Sequence, residues 1–303
     1  MTFTCDVGAA RITQLTELAR WPFPVGELFP AADEQAGRAA LRLKAPFVDQ
    51  RTGDLVLAIH THLIRIGDAT IVVDTGNGNH KHRPNLLPHH MFDTDYEDAF
   101  AETETDPGDV DLVISTHLHP DHCGWNTRLV DGRWVPTFGN ATYLFGADEL
   151  AGAQVLVSTN PDDPVRSDLV RAFHDSVQPV LDDAAWTTVT DGHVLAVRDG
   201  TRVVVRSAPG HTPGHLVVEV NTPDGGAVLS GDVIHHPLQF LRPDLAQAGD
   251  SDPVRARTTR EALLDRCARD RMLLMPAHFP VDEPVVVILD ENGRPTAPAL
   301  LAG

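Results

Sequence analysis

The run His117-Leu118-His119-Pro120-Asp121-His122 packs three imidazoles and a carboxylate into six residues. Imidazole and carboxylate are the donor types that suit zinc and similar divalent ions. The run follows Val110-Asp111-Leu112-Val113-Ile114-Ser115-Thr116, which reads as a buried strand ending in a polar turn. A ligand cluster at the end of a core strand is held by a rigid scaffold, as catalysis requires. Three later stretches share this character. Ala208-Pro209-Gly210-His211-Thr212-Pro213-Gly214-His215 is a Gly/Pro-constrained turn after a strand ending at Val205. Ser230-Gly231-Asp232 follows an apolar strand, and so does Pro276-Ala277-His278-Phe279-Pro280. Each sets a candidate ligand just past the C-terminal end of a strand.

The elements that must position these ligands follow from apolar patterning. Strands are predicted over 11–18, 55–66, 69–73, 133–135, 141–145, 194–197, 201–205, 216–220, 227–229, 272–275 and 285–289. Helices are predicted over 146–157 and 164–176, and from the Asp252-Pro253 start to about 270. Strands, a helical insert, more strands, then a helix and strand predict a mixed α/β sandwich in one domain. Residues 19–50, with Trp21, Phe23, Phe29 and Phe47, read as an irregular N-terminal segment on the domain surface; the alternatives are a pocket wall or a dimer contact. Residues 77–109 read as a solvated loop or lid, and no strand end positions their His80, His82, His89 and His90.

A net charge of -19 argues against nucleic-acid or anionic-membrane partners, which need a basic face. Cys5, Cys123 and Cys267 are too few and too scattered for a disulfide framework, so a reducing cytoplasm is expected. Met1 to Asp6 lacks a basic-then-apolar leader, and no apolar run reaches membrane-spanning length.

The combined pattern His-x-His-x-Asp-His, then His211, Asp232 and His278, resembles the metallo-β-lactamase superfamily from Asp74 through His278. The resemblance implies an α/β (α+β) fold, the four-layer αββα sandwich. It spans 1–303 as one domain, with an N-terminal extension of about 1–50 and the loop or lid of about 77–109. It implies that His117, His119 and His211 hold one divalent ion, that Asp121, His122 and His278 hold a second, and that Asp232 bridges them. Such a set is too large for one tetrahedral zinc and suits two Zn2+, with Mn, Fe or Co as alternatives, sharing a bridging hydroxide nucleophile. Asp121 and His235 are the catalytic candidates, Asp121 to return a proton. His235 stands three residues after Asp232, where homoserine lactonases often carry Tyr, and a structural role is the equal alternative. Asp74 is expected to hydrogen-bond a ligand histidine or a loop amide, His215 to support its turn, and Cys123 to be a buried thiol.

Classical β-lactamases of the superfamily carry Cys where Asp232 stands, which argues against β-lactam hydrolysis. The Asp-bridged pattern resembles lactonases, glyoxalase II enzymes, phosphodiesterases and methyl parathion hydrolase-like phosphotriesterases. No basic glutathione-binding domain follows His278, and the charge argues against the RNA-processing members. Leu238, Phe240 and Leu241 are expected to line an apolar substrate pocket opposite the N-terminal aromatics. The leading expectation is a metal-dependent hydrolase of an ester or lactone of a moderately apolar small molecule, possessing no macromolecular partner beyond a homodimer. Organophosphate triester hydrolysis is the first alternative; an iron-dependent oxidoreductase and a non-catalytic metal-binding protein are the others.

Overall fold

The computed structural model describes residues 2–159 and 161–302. Thr2–Val7 (β1), Ala10–Phe23 (β2), Leu55–Ile66 (β3), Ala69–Val73 (β4) and Leu112–Ile114 (β5) lie side by side in that order. A surface hairpin of Thr127–Val130 (β6) and Arg133–Pro136 (β7) follows, and Thr142–Gly146 (β8) and Ala185–Val189 (β9) complete the first sheet. The second sheet runs Val194–Arg198 (β10), Thr201–Ser207 (β11), Leu216–Thr222 (β12), Gly225–Leu229 (β13), Met272–Met275 (β14) and Val285–Val286 (β15).

Side-chain alternation sorts these strands into layers. In β4, Ile71 and Val73 face the second sheet while Val72 faces outward; in β12, Leu216, Val218 and Val220 face the first sheet while Val217 faces outward. Ile12, Ile64 and Ile114 thus meet Val203, Val205 and Leu229 in a core between the sheets. The outer face of the first sheet is covered by Leu150, Phe173, Val177 and Val180 of the helical insert, and by Tyr96 and Phe100. The outer face of the second is covered by Leu263, Leu264 and Cys267 of the helix Pro253–Asp270. Apolar strands buried on both faces need exactly such helical cover, which is why β3 and β12 read as near-continuous hydrophobic runs.

Several sequence expectations are corrected. Residues 19–50 are more regular than predicted: β2 continues to Phe23, and helices form over Val25–Leu28 and Glu34–Ala40, the second capped by the Asp33 side chain. Phe29 and Phe47 belong to the core rather than to a surface segment. β9 was not predicted because four of its five residues face solvent and carry no apolar alternation. The predicted helix 164–176 stops as an α-helix at Ala172 and continues as a wide turn over Phe173–Val177. The predicted strand 285–289 is split between two sheets.

The segment 77–109 is not a solvated loop. Its Tyr96–Ala101 is a helix, and Lys81 and Arg83 are fully buried. Arg83 forks onto Asp175 through two 2.7 Å bonds, and Lys81 donates to Thr127 at 2.9 Å while its ammonium lies 3.8 Å from the Trp134 ring centre. Glu17 on β2 fastens the start of the segment. Its carboxyl accepts from the amides of Asn77 (2.6 Å) and Gly78 (3.2 Å), from Trp125 Nε1 (2.7 Å) and from Thr94 (3.3 Å). Burial raises this carboxyl from 4.5 to about 7 even against those donors. A raised carboxyl stabilises the fold while protonated, so its contribution is lost as pH climbs from 4.5 through about 7. Glu17→Ala leaves buried donors unpaired and is expected to cost about 2–4 kcal/mol of stability. It should also flatten the pH dependence across that window; denaturant titrations at several pH values check both.

Candidate metal centre

Strand direction gathers the ligands. β4 and β5 run parallel, as do β13 and β14, and β11 shares their direction through the antiparallel β12 between β11 and β13. The turns after Val73, Ile114, Ser207, Leu229 and Met275 therefore open at one end of the sandwich. Close approach there selects glycine. A Cβ on Gly231, whose φ is +47°, would lie 2.7 Å from Thr116 Oγ1 and 2.8 Å from His215 Nε2. At Gly210 (φ +139°) it would lie 2.2 Å from the Ala256 amide nitrogen.

The structure brings the predicted residues into two groups. Ligand atoms of His117, His119, His211 and Asp232 all lie within 4.8 Å of one another, and so do those of Asp121, His122 and His278. Asp232 faces both. Its Oδ1 is 3.1 Å from His122 Nε2 and 3.0 Å from His278 Nε2, while its Oδ2 is 3.2 Å from His211 Nε2 and 3.6 Å from His117 Nε2. Asp121 Oδ2 lies 3.5 Å from His278 Nε2. His235 is also buried, its Nε2 3.1 Å from Asp232 Oδ2 and its ring against those of His211 and His278.

This donor set fits divalent cations. His117 Nε2, His122 Nε2 and Asp232 Oδ1 are buried without a hydrogen bond. Leaving such groups unpaired costs on the order of 1–3 kcal/mol each, more where charge is involved. Ligand atoms about 2.0–2.1 Å from a tetrahedral ion sit roughly 3.3 Å from each other, which matches the nitrogen–oxygen separations around Asp232.

The opposite ring nitrogens are fixed by partners. His122 Nδ1 bonds Asp74 Oδ2 (2.8 Å), His211 Nδ1 bonds Asp250 Oδ1 (2.9 Å), and His278 Nδ1 donates to the Ala58 carbonyl (2.8 Å). Asp74 also accepts from the Thr116 amide at 2.7 Å, so it serves both the histidine and the loop amide. Such partners fix tautomer and ring orientation at metal sites. Glu149 ties two ligand loops together, accepting from the Leu118 amide at 3.0 Å and the Thr212 hydroxyl at 2.7 Å. The Asp232 amide donates to His215 Nε2 at 3.0 Å, so His215 buttresses the turn. Cys123 is a buried thiol whose acidity burial pushes down, its pKa raised to about 12.

Electrostatics divide the histidines. Burial depresses His117 and His119, the latter to about 3, keeping both neutral and available as donors. Burial opposes protonation of His211 too, but Asp232 and Asp250 outweigh it and raise the ring to about 9. Burial alone would raise Asp121; His122, His89 and His278 overcome it and hold the carboxyl at about 2.

Sequence reasoning missed Asp250 and Glu149, which carry no motif and reach the site only through folding. It also set His89 aside. Its Nδ1 bonds Asn77 Oδ1 at 2.8 Å, and its ring meets Trp21 edge-on at 4.9 Å, with Trp21 tilted over His278 at 6.3 Å. The expected pocket of Leu238, Phe240 and Leu241 is not at this site: Leu238 is core, and the other two line a separate cavity with Pro243 and Arg257. An apolar cleft of about 250 Å³ instead adjoins His119, walled by Leu118, Ala153, Leu156, Leu169 and Phe173.

The metallo-beta-lactamase superfamily profile matches residues 55–278, which include every residue of the two groups. The chain belongs to this superfamily. Over 124 residues it is 27% identical to the N-acyl homoserine lactonase AttM of Azorhizobium caulinodans and 25% identical to that of Agrobacterium fabrum. The match spans 41% of this chain and 41% of each lactonase, well under the relatives' full length. Among solved structures, the hydrolase AbOPH superposes with a TM-score of 0.76 at 24% identity, covering 98% of this chain and 96% of its own. AidC, a dizinc quorum-quenching lactonase solved with a homoserine product, superposes at 0.73 with 18% identity, covering 96% and 95%. These structural likenesses establish the αββα fold. No described helix is long and apolar enough to cross a membrane.

Asp74→Asn is expected to weaken metal affinity about 10–100-fold by loosening His122, read by competition with a chromogenic chelator. Because His211 must lose its proton to bind, metal affinity should rise with pH up to about 9, with proton release on uptake measurable by calorimetry in two buffers.

Proposed function

We propose that this chain is a dinuclear zinc hydrolase that cleaves a lactone or ester of a moderately apolar small molecule. One observation carries the reading: the two oxygens of Asp232 face different histidine groups. A carboxylate so placed suits two ions and leaves a shared position between them. His117, His119 and His211 would hold the first ion, Asp121, His122 and His278 the second, with Asp232 common to both. When bound, two such ions supply an activated water at neutral pH and a Lewis acid for the acyl oxygen.

The chain's own residues do the rest. Asp121 Oδ2 lies at the edge of the second group and stays ionised, so it can take a proton from the attacking water and pass it to the leaving alcohol. His235 Nε2 lies 3.1 Å from Asp232 Oδ2 with its ring beside His211 and His278, which suits it to position the shared carboxylate. Trp21 and His89, from the N-terminal extension and the segment 77–109, form a lid edge over His278. The cleft beside His119 suits an apolar acyl group, and the lactonase names of AttM and AidC favour lactones.

A panel of acyl lactones, aryl esters and phosphotriesters, assayed with metal analysis, tests the reading. Two zinc equivalents with lactone or ester turnover are expected; one iron with oxygen consumption would sink it. Asp232→Ala should abolish turnover and lower metal content, whereas near-normal activity refutes the bridge. Ala153→Trp fills the cleft: KM for hexanoyl and longer substrates should rise about tenfold or more. Acetyl-ester kcat should hold, and unchanged KM for the long substrates would place the acyl group elsewhere.

A further inference from the structure

At the other end of the second sheet lies a cavity of about 870 Å³ whose lining is unlike the rest of this acidic chain. Arg202, Arg206, Arg266, Arg269 and Arg271 line it, against the carboxylates of Glu219, Asp224 and Asp270. Gly225 and Met272, the first residues of β13 and β14, belong to this cavity, whereas the far ends of those strands lead to Asp232 and His278. It is therefore a second place on the molecule, independent of the hydrolase reading.

Its floor is built. Glu219 is buried and accepts from Arg206 Nε (3.5 Å) and Asn221 Nδ2 (3.2 Å), and its other oxygen pairs with Arg266. That network holds Arg206 and Arg266 in place while leaving them 40% and 37% exposed. Arg269 pairs with Asp265 outside the cavity. Arg202 and Arg271 have no ion pair or side-chain hydrogen bond among the described residues. Guanidinium groups present planar forks that match phosphate oxygens, and five arginines outnumber three carboxylates in this lining. A phosphate carries about 1.5–2 negative charges and three acceptor oxygens, more charge and more acceptors than a single carboxylate offers to the unpaired guanidinium groups.

We infer that this arginine-lined cavity binds a small phosphorylated anion. The test is calorimetric titration of the metal-loaded protein with AMP and with inorganic phosphate at low ionic strength, alongside R202A/R271A. Both residues are exposed, so the variant should keep its fold, checked by thermal melting. Saturable binding is expected, weakened at least about tenfold in the variant and by added salt, with hydrogen-exchange protection at residues 222–225. Tighter binding of AMP would mark a nucleotide ligand; equal binding would mark the phosphate group alone, and either supports the site. No saturable binding at millimolar ligand overturns the inference. So does binding that is unchanged in the variant and lost when the metal is chelated, which would place the anion at the metal centre.

Discussion

The structure depends on one carboxylate shared between two sets of imidazoles. Asp232 sits buried, with five histidine nitrogens within 3.0–3.6 Å of its two oxygens, those of His117, His122, His211, His235 and His278. Without a cation, such a cluster can be satisfied only by adding protons, and the fold makes that hard for some members and easy for others. Burial keeps His117 and His119 neutral, while the carboxylates raise His211 and His278. The ring nitrogens facing away from the cluster are committed to Asp74, Asp250 and Ala58. The donors are thus turned toward a common centre before any ligand arrives, at the expense of buried polar atoms that lack partners.

Holding that cluster explains much of the surrounding architecture. Parallel pairing within each sheet brings five strand ends to one edge, and the glycines at 210 and 231 let the turns approach where a side chain could not fit. Glu149 links the loop of His119 to that of His211, and Glu17 secures the segment that carries Asn77 and His89. Acidic residues far from the ligands in sequence therefore act on the centre through geometry. The same rigid strands continue to the arginine-lined cavity at their other ends, so a bound anion there and the metal centre would share β13 and β14.

In the proposed reading the chemistry rests on side chains of short range, and selectivity would rest on what stands over them. The cleft beside His119 is lined from the helical insert and the Trp21–His89 edge comes from segments before and after β3. Neither wall is part of the ligand pattern. Members of one superfamily can therefore share reaction type while differing in substrate.

What the sequence determined by itself was the candidate ligand set and the strands that precede it. His117 to His122, His211, Asp232 and His278 were legible because each follows a short apolar run, and such runs are local signals. The covered, two-faced strands were legible for the same reason, as was the helix from Pro253, marked by its Asp252 cap. Tertiary structure alone decided the rest. β9 shows little apolar pattern because it is an exposed edge, and residues 77–109 look solvated because their buried cations, Lys81 and Arg83, are neutralised by Asp175, some 90 residues away. Asp250 and His89 gain their roles from distant neighbours, and Leu238 lost its expected one to the core. Periodicity reports which face of an element is buried; it carries no information on which distant charge, ring or carboxylate will meet it there.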